Sequence, residues 1–303
     1  MSSTQTRSEI FESTRPQLFS IAYRMLGSVA DAEDLVQEAL LRWIEAPETE
    51  VRAPRAYLAT IVTRLAINHL QSARSQRETY VGPWLPEPLV TEHAPDPSEP
   101  VELAESLSIA FLMMLERLSP TERAVLLLHD VFDFDYEEVA RIVDKSEVNC
   151  RQLLARAKKH IGEPRARFDV DPAQADRLLN RFVEATRAGD IDGLVGVLAE
   201  DITLWADGGG KVPGAALQPI HGAESVARFV AQRARGGKDR GGSVRLTRIN
   251  GQPGFIVDVQ GTPQAALILG IRDGRIQDIY AIANPDKLRA LSQPRGERLI
   301  PIT

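Results

Sequence analysis

Residues 136–161 read YEEVARIVDKSEVNCRQLLARAKKHI, and this stretch decides the character of the N-terminal half. Val139, Ala140, Ile142 and Val143 put an apolar face on a short helix, with the small Ala140 where a second helix must cross closely. Asp144-Lys145 is the turn, and Ser146 suits the N-cap of the second helix. Such turns usually carry glycine where Asp144 stands, and Asp tolerates the left-handed backbone better than most residues. Val148, Cys150 and Leu153 are expected to pack inward. Glu147, Asn149, Arg151, Gln152, Arg156, Lys158 and Lys159 then lie on polar faces. The pattern is that of a helix-turn-helix, whose second helix meets base edges near its start and clamps phosphates with basic residues further along. A plain helical hairpin would share the apolar pattern, so the segment needs support from its surroundings. Cys150 reads as a small buried hydrophobe, not a redox sensor.

Upstream, Ser119-Pro120-Thr121-Glu122 is a helix start, with Pro in the first position and a carboxylate in the first turn. It leads into AVLLLHDV and a turn at 132–135. Before it, six prolines fall between Pro83 and Pro100, a density no helix survives. This is an extended linker containing GPWLPEPL, whose Trp84, Leu85 and Leu89 are too apolar for a free tether and predict docking on a surface. The alternative is a polyproline-II spacer with an exposed Trp. Residues 8–45 read as two helices parted by Gly27-Ser28. In the second, DAEDLVQEALLRWIE (31–45), Leu35, Val36, Ala39, Leu40 and Trp43 form a stripe, with Asp31, Glu33, Asp34 and Glu38 largely off it. A third helix covers about 54–76. Downstream, AQADRLLNRFVEATRAGD is helical. Short β-like runs follow (ITLWAD, SVRLTRI, GFIVDV, AALILGIRD, RIQDIYAI), separated by Gly-rich turns, with one more helix at about 223–235. The chain is therefore multidomain, an all-α half joined to an α+β half.

The 303 residues are roughly two average domains, with the 43% hydrophobic and 26% charged content of a globular chain. No apolar run approaches the ~20 residues of a membrane span, and the N-terminus lacks a signal core, which predicts a cytoplasmic protein with no membrane association. One cysteine and five scattered histidines predict neither a disulfide nor a metal site, and no cofactor motif is present. The net charge of −6 splits unevenly. Residues 1–170 hold 19 basic and 27 acidic residues, and residues 171–303 hold 17 and 15. Inside the acidic half, 52–77 has five Arg and no acid, and 141–167 has eight basic residues against three acids. Local positive surface, not whole-chain charge, binds phosphates.

DAEDLVQEALLRW, followed by a helix ending in RLAINHLQSARSQR, closely resembles region 2 of extracytoplasmic-function (ECF) sigma factors of RNA polymerase. LSPTERAVLLLHDVFDFDYEEVARIV and RQLLARAKKHI resemble their region 4. GPWLPEPL, DGGGK and NPDKL resemble the SigJ-type subgroup, whose C-terminal half is a SnoaL-like cone-shaped α+β barrel with a cavity. The resemblance implies region 2 over 1–80, a linker over 81–105, region 4 over 106–165, a SnoaL-like domain over 171–290 and a tail over 291–303. It implies that Asp31, Glu33, Asp34, Leu35, Gln37 and Glu38 meet the clamp of the polymerase large subunit. Promoter DNA would be met at the −10 element by Arg64, Asn68, His69, Arg74 and Arg77, and at the −35 element by Ser146, Asn149, Arg151, Gln152, Arg156, Lys158 and Lys159. The family commonly has Asp where this chain has His69, which puts the base preference there in question.

For the C-terminal domain the resemblance implies an intramolecular regulator. It would pack on regions 2 and 4 through Asp207, Gly208, Gly209, Gly210 and Lys211, with Trp84, Leu85 and Pro86 in the contact and the segment Asn284 to Leu288 closing the domain. A small-molecule ligand in the cavity is a further implied partner. DGGGK is a poor phosphate loop, since no Ser or Thr follows the Lys and no helix begins at once. Catalysis would need an acid–base pair in the cavity, for which only Asp207, Asp258 and His221 qualify; no catalysis is expected. Two rival functions stay open on sequence: a helix-turn-helix regulator with a ligand-sensing domain, and a SnoaL-type cyclase or isomerase fused to a DNA-binding module.

Overall fold

The computed structural model describes residues 6–46, 53–77, 79–91, 106–162, 171–238, 240–291 and 299–301. They fall into two compact units, each drawing on two stretches of chain: Met1–Glu78 with Phe111–Pro164, and Thr79–Ala110 with Arg165–Thr303.

The first unit is helical: α1 (Arg7–Leu26), α2 (Val29–Glu45), α3 (Pro54–Arg77), α4 (Ile109–Leu115, entering from the other unit), α5 (Pro120–Leu126) running into a π-turn at Leu127–Val131, α6 (Tyr136–Val143) and α7 (Glu147–Ile161). Local chemistry sets the boundaries. Thr6–Glu9, Ser119–Glu122 and Asp135–Glu138 form reciprocal capping boxes at the starts of α1, α5 and α6. Gly27 ends α1 in the left-handed conformation, and Ser28 caps α2 by accepting from the Asp31 amide. Leu18, Ile21 and Met25 of α1, Val36 and Trp43 of α2, and Leu58 and Val62 of α3 are buried. Segments expected as separate pieces pack as one body, with α3 against α5 and α6. Two arginines tie them at helix C-termini, whose last carbonyls have no partner within the helix. Arg123 Nη1 donates to Met25 O at 2.6 Å. Arg64 donates to Ile142 O at 2.9 Å and Arg141 O at 3.0 Å.

The helix-turn-helix forms as its sequence requires: Asp144 takes φ +55°, the Ser146 hydroxyl accepts from the Asn149 amide, and Cys150 is fully buried. One expectation fails. Val148 does not pack inward but is 64% exposed. At about 100° per residue it lies some 200° around α7 from Cys150, opposite the buried line of Cys150, Leu153, Leu154, Ala157 and Ile161.

The second unit sets α8 (Pro172–Ala188), α9 (Ile191–Val197), α10 (Ala223–Lys238) and a 3₁₀ turn (Pro285–Leu291) against one eight-stranded sheet. Its strands are β1 (Val90–Thr91), β2 (Leu198–Asp207), β3 (Ile220–His221), β4 (Gly242–Ile249), β5 (Gln252–Val259), β6 (Thr262–Arg272), β7 (Arg275–Ile282) and β8 (Leu299–Pro301). The order is β1-β4-β5-β6-β7-β2-β3, with β8 also on β4; among the described residues β2 and β7 pair in parallel and the other pairs are antiparallel. Register breaks in β2, β5–β6 and β6–β7 bend the sheet around the helices. Phe182, Val183, Val226 and Val230 share the core with Leu204, Phe255, Leu269 and Ile279, giving the expected α+β barrel.

Two boundaries differ from expectation. The linker is not a separate segment: Leu85, Pro86 and Pro88 are buried, and Val90–Thr91 pairs with Ile249 and Arg248 of β4. The surface predicted for GPWLPEPL is thus the sheet unit itself. Part of the expected tail is structural too, with Leu299–Pro301 pairing with residues 243–245 of β4. Residues 92–105, 292–298 and 302–303 lie outside the described residues.

Candidate functional site

Three surfaces and one buried cluster carry the chemistry. On α7, Val148, Arg151, Gln152, Ala155 and Lys159 follow one another at helical spacing and are all exposed. Arg151 is held in place: Nη2 reaches Glu147 at 3.1 Å, and the guanidinium lies 4.5 Å over the Tyr136 ring. Arg156 and Lys158 are also exposed, Lys158 bonding Asp130 at 2.8 Å. Ser146 spends its hydroxyl oxygen on the cap. The stripe combines apolar methyls, which suit a thymine methyl, with donors and acceptors that suit purine edges.

On α2 the expected residues separate. Asp34 and Gln37 are exposed, Glu33 bonds Arg15 at 2.5 Å, Glu38 bonds Arg42 at 2.9 Å, and Asp31 faces His69 at 3.7 Å. Leu35 is a correction: at 9% exposure it belongs to the core stripe and offers a partner little surface. Two residues that the sequence reading passed over extend the face. Leu41 and Ile44 are 57% and 62% exposed, and Asp34, Gln37, Leu41 and Ile44 recur every three to four residues. The signal was the spacing itself, a second apolar line off the core stripe.

On α3, Asn68 is exposed and His69 half-buried. Arg64 is exposed, and its Nε and Nη2 donate to the carbonyls at the end of α6. The side chains of Arg74 and Arg77 lie outside the described residues.

The buried cluster centres on Asp207, at the end of β2 and 0% exposed. Its Oδ1 accepts from Tyr80 OH at 2.5 Å and the Gly209 amide at 3.1 Å; its Oδ2 accepts from the Leu85 amide at 2.9 Å and Lys287 Nζ at 2.7 Å. Lys287 also donates to Leu85 O at 2.5 Å and sits 4.4 Å from the Trp84 ring centroid. Asn284 Nδ2 donates to Tyr80 OH at 2.9 Å. Burial, with Asp207 alongside, pushes the Tyr80 hydroxyl well above its ordinary pKa, so it stays a donor. The glycines are there for closeness: a Cβ on Gly209 would come 2.4 Å from Asn284 Nδ2 and one on Gly210 3.0 Å from Val81, and both have positive φ. Further along, Asn250 in the β4–β5 turn accepts from the Leu89 amide at 3.0 Å and donates to Leu107 O at 3.0 Å, while Gln252 accepts from the Ile109 amide at 3.0 Å.

DGGGK and WLPEPL contact each other and the segment from Asn284 to Leu288, all inside the second unit. Lys211 is peripheral, paired at the surface with Asp286. Tyr80, Asn250 and Gln252 were missed; Asn250-Gly251, a hairpin-turn dipeptide between alternating runs, was the available sign.

Asp207, Asp258 and His221 do not form an acid–base set. Asp207 is in the clamp, Asp258 lies beside Arg245 at 3.6 Å, and His221 is exposed beside Thr203. None of them lines the cavity enclosed by α8, α10 and the sheet. Among the described residues no His, Cys, Asp and Glu gather as metal ligands, and no helix is long and apolar enough to cross a membrane.

Two family models match the chain: Sigma-70 region 2 over residues 10–76 and Sigma-70, region 4 over residues 108–161. The ECF RNA polymerase sigma factor SigJ of Mycobacterium tuberculosis is 41% identical over 288 residues, 91% of each chain. The probable ECF RNA polymerase sigma factor SigI of the same species is 30% identical over 98% of this chain and 99% of its own. The crystal structure of M. tuberculosis SigJ superposes with a TM-score of 0.73 at 38% identity, covering 94% of this chain and 98% of that one.

Proposed function

Because the chain belongs to the ECF sigma factors, which bind core RNA polymerase and direct promoter-specific initiation, we propose how its parts divide that work. The exposed line Asp34, Gln37, Leu41 and Ile44 of α2 meets the polymerase large-subunit clamp, an acidic face with an apolar end offered to a basic partner. Asn68 and His69 of α3 face the melted −10 strand, and the α7 stripe reads the −35 duplex. Arg64, exposed and braced by the carbonyls of α6, joins the −10 surface. The C-terminal unit is a non-catalytic controller acting in cis, responsive to a small-molecule ligand, in the cytoplasm where the polymerase works.

The observation that carries this reading is the Asp207 clamp. The segment joining region 2 to region 4 is fastened there by two hydrogen bonds to the Asp207 carboxylate, from Tyr80 OH and the Leu85 amide, and by donation from Lys287 to Leu85 O and from Asn284 to Tyr80 OH, around the buried Asp207–Lys287 ion pair. A module that holds the connector biases how the two DNA-reading regions are presented, and tethering makes even modest contacts effective. The test is run-off transcription with core polymerase, comparing the full chain with one ending near residue 168. Promoter-specific transcripts that differ in amount between the two support control in cis and give its sign. Equal output from both refutes it, and duplex binding with no transcript from either would favour a free-standing regulator.

Base readout has its own check. Arg151→Ala should cost about 1–3 kcal/mol and relax preference at one promoter position, and Val148→Ala should relax preference at a thymine with a smaller loss. Lys159→Ala should weaken all sequences alike and lower the salt slope by about one. Competition binding with single-position promoter variants separates these; a uniform loss from Arg151→Ala would sink its assignment to a base.

A further inference from the structure

The cavity of the second unit has a volume of about 150 Å³. Its lining is mostly apolar, with Leu204, Phe229, Val244, Phe255, Val257 and Leu267 among its walls. A cavity of this size takes one six-membered carbon ring. The charged lining residues are Arg187 and the solvent-exposed Arg233 and Arg240, with Thr186 and Gln264 as the neutral polar ones and no acidic side chain. Arg233 is braced by Pro213 O at 3.1 Å and Arg240 by Gly236 O at 2.9 Å. Among the described residues neither has a carboxylate partner.

We propose that this cavity binds a small apolar monocarboxylate, its ring or branched carbon body among the aliphatic and Phe side chains and its carboxylate toward Arg233 and Arg240. Arginine presents a planar fork matched to a carboxylate, and the absence of any acid from the lining sets the sign of the charge. Arginines near helix C-termini also complement the helix dipole, but that role does not predict an apolar hollow lined by the same arginines. The proposal deepens the ligand-responsive reading above by naming the class of ligand.

The test is calorimetric titration of the full chain with 4-methylbenzoate and with 4-methylbenzyl alcohol, its neutral counterpart. The acid is expected to bind at least about tenfold more tightly. Arg233→Gln with Arg240→Gln should abolish that preference, and Ala234→Leu, which fills the hollow, should abolish binding of both. No binding of the acid at 10 mM, equal binding of acid and alcohol, or a preference that survives the double substitution would each overturn the proposal. Transcription by the shortened chain does not involve the ligand, so cis control and ligand class can fail separately.

Discussion

Asp207→Ala is expected to destabilise the C-terminal unit by about 3–5 kcal/mol, because it strands the Lys287 ammonium in a buried site without its carboxylate. The same change removes the acceptor for Tyr80 OH and for the amides of Leu85 and Gly209. Against a total stability of about 5–15 kcal/mol for a domain, that is a large fraction. Denaturant unfolding of the full chain measures it, and hydrogen exchange at the Leu85 amide reports release of the linker. Lys287→Met in the Asp207→Ala background should restore part of the loss by removing the uncompensated charge. A loss below about 1 kcal/mol, with Leu85 still protected, would show that apolar burial of Leu85, Pro86 and Pro88 holds the linker unaided.

The second large effect is expected at α2. Asp34→Arg with Ile44→Asp reverses the charge at one end of the exposed line and places a charge in its apolar end. Asp34→Arg sets a like charge against a basic partner, and Ile44→Asp desolvates a charge in an apolar contact; together they cost several kcal/mol, equivalent to a loss of two or more decades in affinity for core polymerase. Both side chains are exposed, so the fold should change by only a few tenths of a kcal/mol. Glu12→Arg on the exposed side of α1 serves as the control and should bind normally. Retained binding by the double variant would remove this face from the polymerase interface.

The helical half was legible because its signals are local. Capping boxes, Gly27, the Asp144 turn and 3.6-residue periodicity each act within a few residues, so they can be read before any tertiary contact exists. What the sequence could not place was contact across long separations. Tyr80 meets a carboxylate 127 residues away and Leu89 an amide oxygen 161 residues away, and no pattern near either residue names its partner. GPWLPEPL announced that it was too apolar to stay free, but not where it would dock. Val148 and Leu35 failed for different reasons. Leu35 sits at the border of its apolar stripe, where 100° of helical rotation separates core from surface, whereas Val148 is an apolar residue on the face opposite the buried line of α7, where side-chain type misleads about burial.

The division of the chain into interleaved units also orders events during synthesis. Lys287, which bonds the Leu85 carbonyl, leaves the ribosome 202 residues after Leu85 does. At about 5–20 residues per second that interval is roughly 10–40 s. Every helix of the first unit has been made by residue 161, so both promoter-reading regions exist in the nascent chain well before their connector can be clamped. Each new molecule therefore passes through an unfastened stage of its own. The ratio of translation rate to polymerase capture then sets how many chains reach a promoter before the clamp has closed.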